Sequence, residues 1–376
     1  MTDTESNTDR SVAEDAESVE AGQTQEAISS EASRGPGKKR KQKSLSAFEA
    51  GLALLSAIVG GGIVGIPYAM FHTGIPLGLA LNIAVAAAGW YTGGLYLRVK
   101  DLAPTYVESL YELGFVTMGV ASIYLISALV LVSGIGCIMI YFIVFSNISA
   151  SIAESVIGQE STSLLKDRSV YVIVLAFLMF PLCMKKMLAE MKIVSVLLFL
   201  AIAIFILLFL VQLITMGSIE NHDETYGRYY TVDLSMELVT GLNIIVLAYA
   251  YQINLFPTYN SLGANKSNKT GLDAVAVAQG LSIIIYVSLG VLSIYIFGSD
   301  LEASVLKNVD EEKNIYSYII RVAFLVVLGC HIPYIFFPTK ESLLIIVDQA
   351  TNASMTKAIT DKLEQAPAGG SQTNPD

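Results

Sequence analysis

Apolar residues in this chain are gathered into eight blocks, roughly 46–71, 75–97, 115–145, 169–184, 191–216, 235–260, 271–297 and 314–346. A hydrocarbon layer about 30 Å thick is crossed by a helix of about 20 apolar residues. Lipid offers no partner to main-chain polar groups, so blocks of this kind must be helical. The composition agrees: 53% of the 376 residues are hydrophobic and 15% are charged, against about 25% charged in soluble domains. The expected fold is therefore an all-α membrane protein with about eight transmembrane helices and the lipid bilayer as its first partner. The fourth block is short and the third and eighth are long, which predicts tilted or partly exposed helices. A net charge of −10 argues against a nucleic-acid partner, which would require a basic footprint. Cys137, Cys183 and Cys330 all fall inside apolar blocks and offer no disulfide framework.

The termini and loops set an expected orientation. Residues 1–33 hold nine acids and one base, with no apolar run to offset ordering entropy, so residues 1–44 read as a disordered tail. That tail turns basic at Arg34, Lys38, Lys39, Arg40, Lys41 and Lys43, a cluster favoured beside anionic cytoplasmic lipid. With the N-terminus inside, 16 basic residues fall on cytoplasmic segments and five outside. The positive-inside rule demands this bias. Both termini are then cytoplasmic, with 45–348 as the membrane domain and 349–376 as a second polar tail.

The first block contains Ser-Ala-Ile-Val-Gly-Gly-Gly-Ile-Val-Gly-Ile-Pro-Tyr at 56–68. Each glycine costs about 1 kcal/mol relative to alanine inside a helix, and proline about 3. Gly60, Gly61, Gly62 and Gly65 followed by Pro67 therefore predict a helix interrupted near the middle of its span. Unwound backbone at that depth is tolerated only when it is buried in protein or lines a cavity. Transporters use such breaks to bind small ions and zwitterions through half-helix ends. Close packing through small residues is the alternative, but three consecutive glycines occupy three different helix faces.

A weaker echo lies in the sixth block, where Tyr249, Tyr251, Gln252 and Asn254 precede Pro257. Proline there lacks an N–H and crowds the carbonyl of Ile253. Amides within a span face the bundle interior, either to bind a ligand or to tie helices together. In the eighth block His331 is either a hydrogen-bonded structural group or a proton carrier, and Arg321 is expected to snorkel to the interface. Nothing resembles an enzyme: there is no H-E-x-x-H, G-x-S-x-G or P-loop signature.

The first motif, continued through Ala69-Met70 and Thr73-Gly74, resembles the first span of the amino acid/auxin permease family. It is most similar to the sodium-coupled neutral amino acid transporters. Phe256-Pro257-Thr258-Tyr259-Asn260-Ser261-Leu262, then Pro333, Phe337-Pro338 and Lys340, match further motifs in the same order. The resemblance covers about residues 45–348. It implies a leucine-transporter-like inverted-repeat fold, normally of eleven spans, here with an incomplete second repeat. It further implies secondary active symport of an amino acid by alternating access. The substrate carboxylate would meet N–H groups of Val59, Gly60, Gly61 and Gly62. The ammonium would meet carbonyls near Ile58 and around Tyr249, Tyr251 and Gln252. Ser133, Gly134 and Cys137 would line the side-chain pocket.

Two positions depart from the pattern. A family asparagine is Ser56 here and a family threonine is His331, both at positions of the sodium site. A hard cation requires several oxygen ligands, so the departure shifts weight from Na+ towards H+ as coupling ion. No other cofactor is expected. Partners for the fourth and fifth spans are also missing, leaving open a homo-oligomer, a non-transporting amino acid receptor or an inactive shortened paralogue. The plasma membrane and a vacuole- or lysosome-type membrane both remain open.

Overall fold

The computed structural model describes residues 44–104, 106–157, 164–184, 192–216, 230, 232, 234–311 and 315–365. The acidic and polybasic segments and Lys185, Lys186 and Arg228 lie outside the described residues. Thirteen α-helices make up the described chain. The first, α1 (Ala47–Ile58), opens on a capping box. The Ser46 hydroxyl accepts the Glu49 N–H, and the Glu49 carboxylate accepts the Ser46 N–H, so two donors that a helix start leaves free are paired. After Val59 and Gly60 a 3-10 turn (Gly61–Gly65) leads into α2 (Ile66–Thr73). There follow α3 (Ile75–Leu102), α4 (Leu110–Met118), α5 (Val120–Ile157), α6 (Arg168–Cys183) and α7 (Lys192–Met216). The remainder are α8 (Met236–Ala248), α9 (Gln252–Asn260), α10 (Asn268–Phe297), α11 (Val305–Glu311), α12 (Ile315–Asn352) and α13 (Ser354–Glu364).

Six apolar segments are long enough to cross a bilayer: α3, α5, α7, the α8–α9 run, α10 and α12. The α1–α2 pair, bent by 63°, makes a seventh if taken as one span, and α6 is a shorter apolar helix. All eight expected blocks thus lie on apolar helices, and the chain is an all-α, multi-pass membrane protein. Large apolar side chains face outward, with Phe177 78% and Ile193 80% exposed. In water such surfaces would aggregate; in lipid they are at home.

The bundle packs in two groups that meet at α1 and α7. Helix α10 lies against α1, α2 and α3, and α8 packs on α2. Helix α12 lies along α5 and α7. Leu54, Leu55 and Ile63 around the first break, with Phe205, Phe209 and Phe324 between α7 and α12, are wholly buried. Arg321 does not snorkel. It is 1% exposed and forms an ion pair with Asp310 of α11. The Ser151 hydroxyl accepts from it at 3.1 Å and the Ser317 carbonyl at 3.3 Å. A carboxylate brought within reach by α11 replaces the water that snorkelling would have sought.

Candidate functional site

The first helix stops where its glycines begin. The Val59 N–H still donates to the Leu55 carbonyl at 2.8 Å, but Val59 is extended and Gly60 (φ −132°, ψ −140°) leaves the helical region. The next bond, Ile63 N–H to the Gly60 carbonyl at 3.1 Å, already belongs to the 3-10 turn. The amides of Gly61 and Gly62 precede it and have no partner within that turn. Val59 is not among the available donors, because its N–H is committed to α1. Pro67 sits in the first turn of α2, where a missing N–H costs nothing. Pro67 therefore starts the second half-helix.

The second interruption falls at Tyr249–Tyr251, between α8 and α9. Pro257 lies inside α9 and does not end it. Pro257 lines a cavity of ≈190 Å3 together with Ile253, whose carbonyl it cannot serve, and with Glu108, Tyr111, Asn260 and Glu341. The Gln252 side chain accepts the Tyr251 N–H at 3.0 Å, pairing one main-chain donor of the second interruption. Both tyrosines are tied to α3. The Tyr249 hydroxyl donates to Asn82 Oδ1 at 2.9 Å, and the Tyr251 hydroxyl to the Gly89 carbonyl at 2.7 Å. Gly93 leaves room for the Tyr251 phenol, where a Cβ would overlap its oxygen.

One side chain joins the two interruptions. The Tyr286 hydroxyl, on α10, lies 3.0 Å from the Ile58 carbonyl and 2.9 Å from the Ala248 carbonyl. These are the last residues of α1 and α8. Tyr286 is wholly buried, and its ring meets that of Tyr249 edge-on at 5.1 Å. The half-helix ends that the sequence places in separate spans thus converge on a single oxygen atom.

Ser56 and His331 also come together. The imidazole is 1% exposed, faces the Tyr141 ring at 5.2 Å and lies against the Ser56 backbone. It occupies the space a Cβ at Gly60 would need, so Gly60 is glycine at a close approach between α12 and the first break. Its Nδ1 is buried without a hydrogen-bond partner. The Ser56 hydroxyl donates to the Leu52 carbonyl at 2.8 Å. Nearby, the Tyr334 and Ser195 hydroxyls bond each other. Among the described residues no three His, Cys, Asp or Glu side chains gather to hold a metal ion.

Ser133 and Cys137 are not gathered into this cluster. Ser133 is exposed and Cys137 half-buried on α5, whose buried face carries Val130, Gly134 and Tyr141. Gly134 meets Thr339 of α12. Ser133 is one residue out of register with that face. Sequence reasoning missed Asn82, Gln279 and Tyr286. Asn82 and Gln279 carried a signal, as isolated amides in apolar segments. Both amide atoms of Gln279 are buried without partners beside Gly89 and Tyr251.

A helix interrupted in mid-bundle, its main-chain ends turned to a second interruption, defines a multi-spanning membrane protein of the transporter type. The family model described as transmembrane amino acid transporter protein matches residues 43–365, and the chain belongs to that family, one of transporters and not of enzymes. Among its relatives is "Amino acid transporter AVT6E" of Arabidopsis thaliana, 24% identical over 306 residues, which cover 77% of this chain. Another is "Vacuolar amino acid transporter 7" of Saccharomyces cerevisiae, 25% identical over 274 residues, which cover 70% of this chain. The matched part spans 61% of the plant protein's length and 52% of the yeast one's.

Proposed function

We propose that this chain is a secondary active transporter of neutral amino acids, working by alternating access on a leucine-transporter-like inverted-repeat scaffold. The observation that carries this reading is the convergence of the Ile58 and Ala248 carbonyls on one point between two interrupted helices. Carbonyl oxygens held at one spot by two half-helix ends suit an ammonium group, and N–H groups at a helix start suit a carboxylate. The ammonium would sit at Ile58 and Ala248, and the carboxylate at the amides of Gly61 and Gly62. Apart from His331, the side chains named around the interruptions, Tyr249, Tyr251, Gln252, Asn82 and Tyr286, carry no charge, which favours a neutral substrate. The cavity beside α9 is the inner vestibule through which the substrate leaves. The positive-inside bias supports cytoplasmic termini, and the name of the yeast relative supports a vacuole-type membrane.

Protons are the coupling ion in this reading. His331 has a buried nitrogen without a partner and presses on the first interruption. Its protonation would act directly on the backbone that grips the substrate. The test is uptake of labelled L-alanine, L-glutamine, L-leucine and L-lysine into proteoliposomes, with sodium and pH gradients imposed separately. The first three are expected to accumulate under an inward pH gradient with no need for sodium. His331→Ala is expected to retain binding and lose the response to pH. Saturable binding without flux would make the protein an amino acid receptor, and neither binding nor flux would remove the site altogether.

A further inference from the structure

Tyr286 belongs to none of the motifs that mark the site, yet its hydroxyl occupies the point where two helix ends present carbonyls that require a hydrogen-bond donor. We infer that Tyr286 is a positioning residue: its hydroxyl stands in for the substrate's ammonium in the empty carrier and is what allows the carrier to return unloaded. The inference rests on the transport reading above and deepens it.

Buried carbonyls that end a helix need donors in every state the protein visits. A loaded site supplies them from the ammonium, which has three N–H groups. An empty site has only what the chain provides. The Tyr286 hydroxyl has one proton and two lone pairs. It can serve either carbonyl, at 3.0 Å from Ile58 and 2.9 Å from Ala248, and it can turn from donor to acceptor. When the substrate binds, the ammonium donates to both carbonyls and the tyrosine hydroxyl is no longer needed as their donor. When the substrate leaves, the hydroxyl proton swings back.

Net uptake requires the empty carrier to cross back; exchange of one amino acid for another does not. Tyr286→Phe keeps the ring and removes only the hydroxyl. Net uptake of labelled L-alanine, L-glutamine and L-leucine into empty proteoliposomes should fall about tenfold, the factor expected when one buried acceptor loses its donor. Exchange into vesicles preloaded with the same amino acid should be retained. The substrate-free variant should melt below the wild type, and saturating amino acid should close that gap. Tyr249→Phe is the control: it removes a buried phenol that serves Asn82, so net uptake and exchange should change in proportion. A Tyr286→Phe protein that survives purification only with amino acid present also supports the inference. Parallel loss of net uptake and exchange, no change in either, or a melting gap that amino acid fails to close overturns it. A wild type that neither exchanges nor accumulates overturns the transport reading itself, an outcome distinct from failure of the tyrosine.

Discussion

Gly60 and His331 approach so closely that no side chain fits between them. The imidazole fills the volume of the missing Cβ, so Gly60→Ala must push α12 away from the first interruption or force Gly60 into another conformation. Overpacking of a buried site costs about 1–3 kcal/mol. A lower melting temperature in detergent and a severalfold loss of uptake are expected for Gly60→Ala. Combining it with His331→Ala should recover most of the stability, since the second change empties the contested volume. Additive losses in that double-variant cycle would show that the two residues do not compete for space. The triple glycine was legible because its helix cost is large and local. The partners were not, because the neighbour of Gly60 is His331 and that of Gly62 is Ala248, both far along the chain. Tyr286 was less legible still: the chain has 19 tyrosines, and nothing in an apolar block separates one that packs from one that donates to a freed carbonyl.

At the scale of helices, the second interruption shows why a proline is an incomplete guide. Pro257 predicts a break near Ile253, yet α9 runs through it from Gln252 to Asn260. The chain instead unwinds at Tyr249–Tyr251, where tertiary bonds outweigh local propensity. The Tyr249 and Tyr251 hydroxyls reach Asn82 and Gly89, positions seven apart and thus on one face of α3. The break is therefore hung from α3. Asn82→Ala should leave the Tyr249 hydroxyl buried without an acceptor, a loss of about 1–3 kcal/mol. Thermal unfolding should register that loss, and amide exchange at 249–251 should quicken. If exchange there is unchanged, α3 does not hold the break. The same reasoning explains Ser133: the content of α5 could be read from its apolar run, but the buried face depended on which residues meet α12.

For the whole molecule, apolar length fixed where the helices lie, and tertiary contact decided what the polar ends do. Residues 349–376 read as a polar tail, yet α12 continues to Asn352 and α13 folds back beyond it. A stripe of Met355, Ile359 and Leu363 at four-residue spacing was the available sign, and Ile359 is indeed buried. Helix α13 reaches α4 through Lys362, whose ammonium lies 2.9 Å from Glu112 and 3.7 Å from Glu108. The ≈190 Å3 cavity is bordered by Glu108 and Ser109, just ahead of α4, and by its first residues, Leu110 and Tyr111. A latch on α4 therefore bears on one wall of the proposed inner vestibule. Partial burial alone would lower the Lys362 pKa, but the hydrogen bond and charge of Glu112, with Glu108 behind it, outweigh burial and raise it. A cation whose folded pKa is raised contributes its stability fully below the unfolded lysine value and loses it as pH climbs through the folded one. As far as Lys362 governs it, the latch should hold unchanged from pH 6 to 9 and open only in the alkaline range above the ordinary lysine value. Amide exchange at 354–364, followed across pH, reads this directly. Lys362→Ala should raise that exchange at neutral pH by a modest factor, since a half-exposed ion pair contributes about 0–1 kcal/mol. Exchange that ignores the substitution would mean that the apolar stripe alone docks α13, leaving the vestibule wall without an ionic latch.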